Sequence, residues 1–247
     1  GGAFPPLSLA LLAAIAQKQG HSVEIIDAEV RKLSKEDVVG IVLEKKADLI
    51  GMSGMSPFFH LSQEIAIALK EKGEKAKASS IVKFLPESSF DMHTHEYGEE
   101  FLVLEGIFSD QYGDYPKGTY VRNPDKSSHN PFSKDGCTIF VKLRQFNKDD
   151  TKRVVKKTYD LPWYKGLVSG LFVMSLHEYE AEHTALVKWE SNTIFNAHKH
   201  WRGEEILVLE GVFYDEFGSY PKGSWIRSPH LSQHAPFTKD EGALIFV

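Results

Sequence analysis

The chain has 247 residues, with 29 Lys and Arg against 34 Asp and Glu, and the resulting formal net charge of −5 gives no basic surplus to recommend a nucleic-acid partner. A hydrophobic fraction of 42% and a charged fraction of 26% are ordinary for a folded globular protein, and no apolar run reaches membrane-spanning length. The one cysteine, Cys137, excludes an internal disulfide and a cysteine-rich zinc or iron–sulfur centre, so the reducing cytoplasm is the expected compartment.

The first 76 residues alternate helix and strand signals. Pro5-Pro6 opens a helix carrying Leu7, Leu9, Leu11, Leu12 and Ile15, because proline in a first helical turn forfeits only an N–H that would be unpaired anyway; Gly20 closes it. The β-branched run Val23 to Asp27 predicts a strand. Ser34 is placed to cap a second helix, ending near Lys46, with Val38, Val39, Ile41, Val42 and Leu43 on its buried side. Leu49 to Ser53 reads as another buried strand and Phe58 to Lys72 as a third amphipathic helix. Such alternation predicts an α/β segment with parallel strands.

This segment resembles the cobalamin-binding, flavodoxin-like domain found ahead of many radical SAM enzymes. The resemblance rests on Pro5-Pro6-Leu7-Ser8-Leu9 at the helix start, Gly20-His21-Ser22-Val23 entering the strand, Asp27 at its end, and Gly51-Met52-Ser53 after the next. It implies a central first strand, which this sequence lacks together with the fourth and fifth. The Asp-x-His-x-x-Gly signature that supplies a cobalt ligand in methionine-synthase-like relatives is also missing, so residues 1–76 are read as a partial domain, and cobalamin is not expected to bind it alone. His21 and His60 are expected at surface or helix-cap positions, and Ser53 and Ser56 in a turn.

Glu74 to Ser80 is polar and unpatterned, and the boundary is placed there. From Ile81 the helical period vanishes, and short β-rich runs alternate with turn residues at Pro86, Gly98, Gly106, Gly113, Pro116, Gly118, Pro124 and Gly136, the mark of a sandwich or barrel. Phe101-Leu102-Val103-Leu104 is apolar on both strand faces, as suits a strand covered on both sides.

Within this region His93-Thr94-His95 projects two imidazoles to one side of a strand, Glu99 keeps the same parity beyond Gly98, and His129 comes from a second strand alongside. Three nitrogens and one carboxylate suit a divalent transition metal. The chain then repeats the set as His198, His200, Glu204 and His234, each 105 residues later (198 − 93, 204 − 99, 234 − 129). Glu99 to Gly106 returns as Glu204 to Gly211, and Tyr115-Pro116-Lys117-Gly118 as Tyr220-Pro221-Lys222-Gly223, so the region is an internal duplication.

His-x-His-x-x-x-Glu followed by Gly106, then Gly118, Pro124 and His129, is the pair of motifs of the cupins. The text Glu-Glu-x-Leu-Val-Leu-Glu-Gly-x-Phe-x-Asp with Gly-x-Tyr-Pro-Lys-Gly and Arg-x-Pro is similar to the ChrR-type cupin. The resemblance implies a multidomain α+β chain in which the partial flavodoxin-like segment, 1–76, precedes two all-β jelly-roll barrels, cupin 1 at 77–148 and cupin 2 at 149–247. The second repeat stops inside the hydrophobic run that its counterpart continues, and the chain is expected to be a piece of something longer. ChrR likeness implies zinc ahead of iron or manganese. The anti-sigma activity of some relatives belongs to a separate helical domain with its own ligands, and is not carried over.

A closed tetrahedral shell would make the site structural or sensory, whereas an octahedral one leaves two positions for a bidentate ligand. No general base beyond the ligands is evident. A small-molecule or oxidant-responsive binding module is therefore expected ahead of a dioxygenase acting on a small carbonyl compound, without nucleic acid or membrane as partner and with homo-oligomerisation left open. Glu100 and Glu205, of opposite parity to the ligands, are expected to face outward in salt bridges, and Arg122 and Arg227 to form surface or interstrand ion pairs. Phe90, Phe195, Phe132 and Phe237 are expected to line the barrels, His177, His183 and His230 to be ordinary histidines, and Cys137, aligned near Ala243, not to be a ligand.

Overall fold

A computed structural model describes residues 7–18, 20–28, 30–45, 64–65 and 77–247. The chain divides into two compact units, 1–153 and 154–247. No helix among the described residues is long and apolar enough to cross a membrane.

The N-terminal segment has helices at Leu7–Lys18 and Lys35–Lys45. Gly20 takes φ +89°, and its N–H returns to the Gln17 carbonyl at 3.0 Å, closing the first helix as the sequence predicts. Ser34 caps the second: its Oγ accepts the Asp37 N–H at 3.1 Å while the Asp37 carboxylate accepts the Ser34 N–H at 2.9 Å. Val39, Val42 and Ile65 form a small core. The run Val23 to Asp27 is not a strand, contrary to the sequence reading. A β-branched run becomes one only when a neighbour takes its backbone hydrogen bonds, and no ladder engages it among the described residues. Leu49 to Ser53, Ser56, His60 and most of Phe58 to Lys72 lie outside the described residues.

The first barrel begins with Ala78–Phe84, antiparallel to Cys137–Leu143, which pairs on its other edge with the long strand Glu99–Asp110. The near half of that strand pairs with Thr119–Asn123 and its far half with Gly113–Pro116. Two short pairs, Ser88–Ser89 with Phe132–Ser133 and His93–His95 with Ser127–His129, complete the wall. A bulge between Val103 and Glu105 bends the 12-residue strand so that one chain segment serves both parts of the barrel. Gly106 follows the bulge at φ +70°, where an added Cβ would stand 2.2 Å from the Gly136 carbonyl oxygen. Gly211 repeats the arrangement at φ +70° and 2.1 Å from Gly242 O, so neither position admits a side chain.

The interior is filled by Val82, Phe84, Phe101, Val103, Phe108, Ile139 and Val141. Leu102 and Phe140, of opposite parity, are buried as well, at 3% exposure each, so the strand is covered on both faces as its composition predicts. Each fully buried large apolar side chain contributes about 1.5–3 kcal/mol.

The second barrel uses the same plan. Glu182–Trp189 pairs with Ala243–Phe246, which pairs with Glu204–Asp215. That long strand carries Trp225–Ser228 and Gly218–Pro221, and His198–Lys199 pairs with Gln233–His234. Leu171–Tyr179 extends the sheet beyond Glu182–Trp189. Trp189, Ile206, Val208, Phe213 and Ile245 make its core.

Candidate metal centres

Strand pairing brings the four predicted donors of the second repeat together, and in the first it gathers the three imidazoles with Glu99 beside two of them. His93 lies directly opposite His129, and His198 opposite His234, so each two-residue imidazole fork gains its third ring across a ladder. Glu99 and Glu204 begin the long strands that run alongside. In the first repeat His95 Nε2 lies 2.8 Å from His129 Nε2, and Glu99 Oε2 lies 3.6 Å from the former and 3.5 Å from the latter. In the second, Glu204 Oε2 is 3.4 Å from His200 Nε2 and 3.6 Å from His234 Nε2. Ligands about 2.0–2.2 Å from one ion stand about 3–3.5 Å from each other, so the second set of four has the span of a single coordination sphere. In the first the three imidazoles group together, and Glu99 stands beside His95 and His129 but outside that group. The donor atoms of His198, His200, Glu204 and His234 all lie within 4.8 Å of one another, as do those of His93, His95 and His129.

The rings are also oriented for ligation. His93 Nδ1 is bonded to the Asp91 carbonyl at 2.9 Å, and His198 Nδ1 to the Asn196 carbonyl at 3.1 Å. His129 Nδ1 meets Asp110 Oδ2 at 3.3 Å, and His234 Nδ1 meets Asp215 Oδ2 at 3.4 Å. An Nδ1 engaged in this way as a donor leaves Nε2 with its lone pair free, the arrangement that outer carboxylates and carbonyls impose on metal-binding histidines. Tyr115 and Tyr220 each donate to the same aspartates at 3.0 Å. Asp110, Asp215 and the two tyrosines were not singled out by ligand spacing, although all four stand inside the duplicated text.

Electrostatics separate the two sets. Burial disfavours charge on Glu99, but His95, His129 and the Asn123 amide at 3.1 Å more than offset it and hold the carboxyl below its ordinary range. Glu204 has no such amide, and burial pushes it up to about 7. Burial drives His95 and His200 each down to about 4, so both are neutral rings at physiological pH. For His129 and His234 burial opposes the charge, yet the facing carboxylates prevail and raise both.

The buried atoms Glu204 Oε2 and His200 Nε2 have no hydrogen-bond partner among the described residues. Orphaned donors of this kind, converging on one point, cost stability unless something binds them, and a divalent cation fits that need with three neutral imidazoles and one carboxylate. Such an ion would supply Lewis acidity; the residues here hold its donors in place, and His129 and His234, whose protonated forms the facing carboxylates favour, would each give up a proton to bind it.

Of the remaining sequence expectations, Glu100 is corrected. It faces away from the ligands, but at 3% exposure it is buried, not at the surface. Arg122, 1% exposed, pairs with it and with Asp150 at 2.6 Å, and stacks 3.6 Å over the Phe146 ring, so the segment following the last strand covers this face. Arg227 is exposed, and Glu205 accepts a hydrogen bond from Trp225 at 2.8 Å, the role Tyr120 plays toward Glu100 at 2.6 Å. Phe90 and Phe195 pack against the barrel cores as expected. Phe132 does not line its barrel: it is 38% exposed, because its short strand turns that side chain outward, and Phe237 stacks on Tyr214. His177, His183 and His230 join neither donor set. Cys137 is buried opposite Gly106, where Ala243 stands opposite Gly211.

The sequence pattern of the ChrR cupin-like domain matches residues 53–147 and again 151–247. The chain belongs to that family. The pattern of the B12-binding domain matches residues 1–81. A search of curated proteins finds no match. Among solved structures, a Nostoc punctiforme protein provisionally named a dioxygenase is similar over 70% of this chain and 68% of its own, with TM-score 0.61 and 15% identity. Oxalate decarboxylase from Lactobacillus farciminis, in complex with formate, is similar over 69% and 75%, with TM-score 0.52 and 12% identity. A cupin 2 conserved barrel domain protein from Leptotrichia buccalis is similar over 70% and 83%, with TM-score 0.51 and 10% identity. These likenesses establish the cupin fold of this ChrR-like bicupin.

Proposed function

We propose that this bicupin is a divalent-metal-binding module in which each barrel holds one ion, through His93, His95, Glu99 and His129 or through His198, His200, Glu204 and His234, and that the bound metal organises a pocket for a small molecule or oxidant. The convergence of unpartnered Glu204 Oε2 and His200 Nε2, 3.4 Å apart and buried, carries this reading. Zinc is the first candidate and iron or manganese the next. Beside His93 and His95 a pocket of about 740 Å³, also lined by Ser88, Met92 and Arg144, has room for a small organic ligand.

A second reading, a metal-dependent dioxygenase acting on a small carbonyl compound, is suggested by the likeness to the Nostoc punctiforme protein provisionally named a dioxygenase, although the cavity next to His93, Glu99 and His129, with Phe84, Phe90 and Phe108 around it, is only about 20 Å³. That volume accommodates little more than one water-sized molecule. Metal analysis of protein purified without added metal separates the readings. Two tightly held zinc ions per chain, with Glu99→Gln and Glu204→Gln each removing one, support the module. Iron together with oxygen uptake supports the enzyme, and protein that takes up no divalent ion from any of these metals overturns both.

A further inference from the structure

Glu99 and His129, donors from different strands, are joined outside the first donor set by a continuous arc of hydrogen bonds. Asn123 Nδ2 donates to Glu99 Oε2 at 3.1 Å, and Arg153 Nε donates to Asn123 Oδ1 at 3.2 Å. Arg153 Nη2 donates to the Tyr115 hydroxyl at 2.9 Å, which donates to Asp110 Oδ1 at 3.0 Å, and Asp110 Oδ2 meets His129 Nδ1 at 3.3 Å. Each group acts in a role its chemistry allows: the amide donates through nitrogen and accepts through oxygen, and the phenol donates once and accepts once. One guanidinium therefore fixes the amide orientation that serves the acid and the phenol that serves the imidazole, as its planar fork permits and a lysine ammonium does not. Arg153 is an exposed residue ten positions past the last strand, Cys137–Leu143.

The second repeat keeps only half of this arc. Tyr220, Asp215 and His234 reproduce the imidazole side at 3.0 and 3.4 Å. Ser228 occupies the place of Asn123, opposite Glu204 as Asn123 is opposite Glu99, and Glu204 Oε2 has no hydrogen-bond partner among the described residues.

We propose that Arg153 is a positioning residue for the first metal centre, and that its arc makes the two centres unequal, the first holding its ion tightly and the second exchanging it. This rests on the reading that both donor sets bind a divalent cation. A preordered donor pair loses less freedom when the ion arrives, and outer partners of metal ligands are worth about 10–100-fold in affinity.

The test uses Co²⁺ as probe on the whole chain, following its visible absorption during loading and during removal by a chelator. Wild-type protein should release Co²⁺ in a slow and a fast phase. Glu204→Gln should abolish the fast phase and so assign it to the second centre. Arg153→Gln and Asn123→Ser should each speed the slow phase by about tenfold and leave the fast phase unchanged, and the double variant should be no faster than either single one, because both break the same arc. Ser228→Asn, which offers Glu204 the missing amide, should slow the fast phase. An unchanged slow phase in Arg153→Gln, equal shifts of both phases, or additive effects in the double variant overturn the proposal while leaving metal binding intact. Wild-type protein that takes up no Co²⁺ overturns the underlying reading as well.

Discussion

In the first barrel the candidate ligand acid Glu99 is 5% exposed, receives the Asn123 amide and remains ionised; in the second, Glu204 is only partly buried, lacks that amide, and is pushed up to about 7. The acid beside the ligand shows the same contrast. Glu100 sits in a buried cluster with Arg122 and Asp150, while Glu205 is bonded by Trp225 with Arg227 exposed nearby. Eight matched candidate donors thus occupy two different electrostatic settings. Ligand spacing is copied with the strand that bears it, whereas the setting depends on neighbouring strands and on the segment after the last one, which are free to diverge.

The largest expected difference between the barrels lies in that outer cluster. Arg122→Leu strands two buried carboxylates and should cost about 3–5 kcal/mol in urea unfolding, whereas Arg227→Leu, at an exposed site, should stay within about 0.5 kcal/mol. Equal losses would show that the two outer faces are alike after all.

Next comes the ligand acid itself. Because the folded pKa of Glu204 is raised from 4.5 to about 7, the folded state holds a proton that the unfolded chain releases, and metal-free stability falls as pH rises through that interval. Glu204→Gln removes the penalty and should stabilise chelator-treated protein at pH 8 by up to about 3 kcal/mol. Glu99 is lowered instead, so it contributes stability above its unfolded pKa that is lost on acidification, and Glu99→Gln should destabilise. The same sign for both variants would erase the contrast.

Asp110→Asn and Asp215→Asn probe what the barrels share. Their contacts with the ligand imidazoles, at 3.3 and 3.4 Å, are nearly the same, so each should weaken its own centre by about 10–100-fold and by a similar factor, read by competition with a chromophoric chelator.

The smallest effect concerns protons. At pH 6 the second centre must release the Glu204 proton to take up metal, which the first centre, with Glu99 already ionised, need not do. Affinity at the second centre should therefore fall by about tenfold more than at the first for each unit below pH 7, measured by metal titration at two pH values.

Much of the site was legible in the residue order. Period-two alternation put His93 with His95 and His198 with His200, and the constant offset of the repeats selected His129 and His234 as partners, which the ladders place directly opposite. Asp110 and Tyr115 were printed twice in the duplicated text, and the repetition itself was the signal that could have found them. Arg153 and Asp150 carried no comparable signal. They lie past the last strand of the first barrel, outside any motif, and reach the site only through the fold. Val23 to Asp27 failed for the opposite reason, since its composition suited a strand and a strand needs a neighbour.

The sequence by itself determined the duplication, the barrel fold and the strand parity that places the eight candidate donors, because these depend on local geometry that recurs at fixed spacing. Only the tertiary structure decided which acid is ionised, which outer groups hold it and which arginine is buried. Those properties come from desolvation and from hydrogen bonds between residues distant in the chain, such as the 30 positions that separate Arg153 from Asn123.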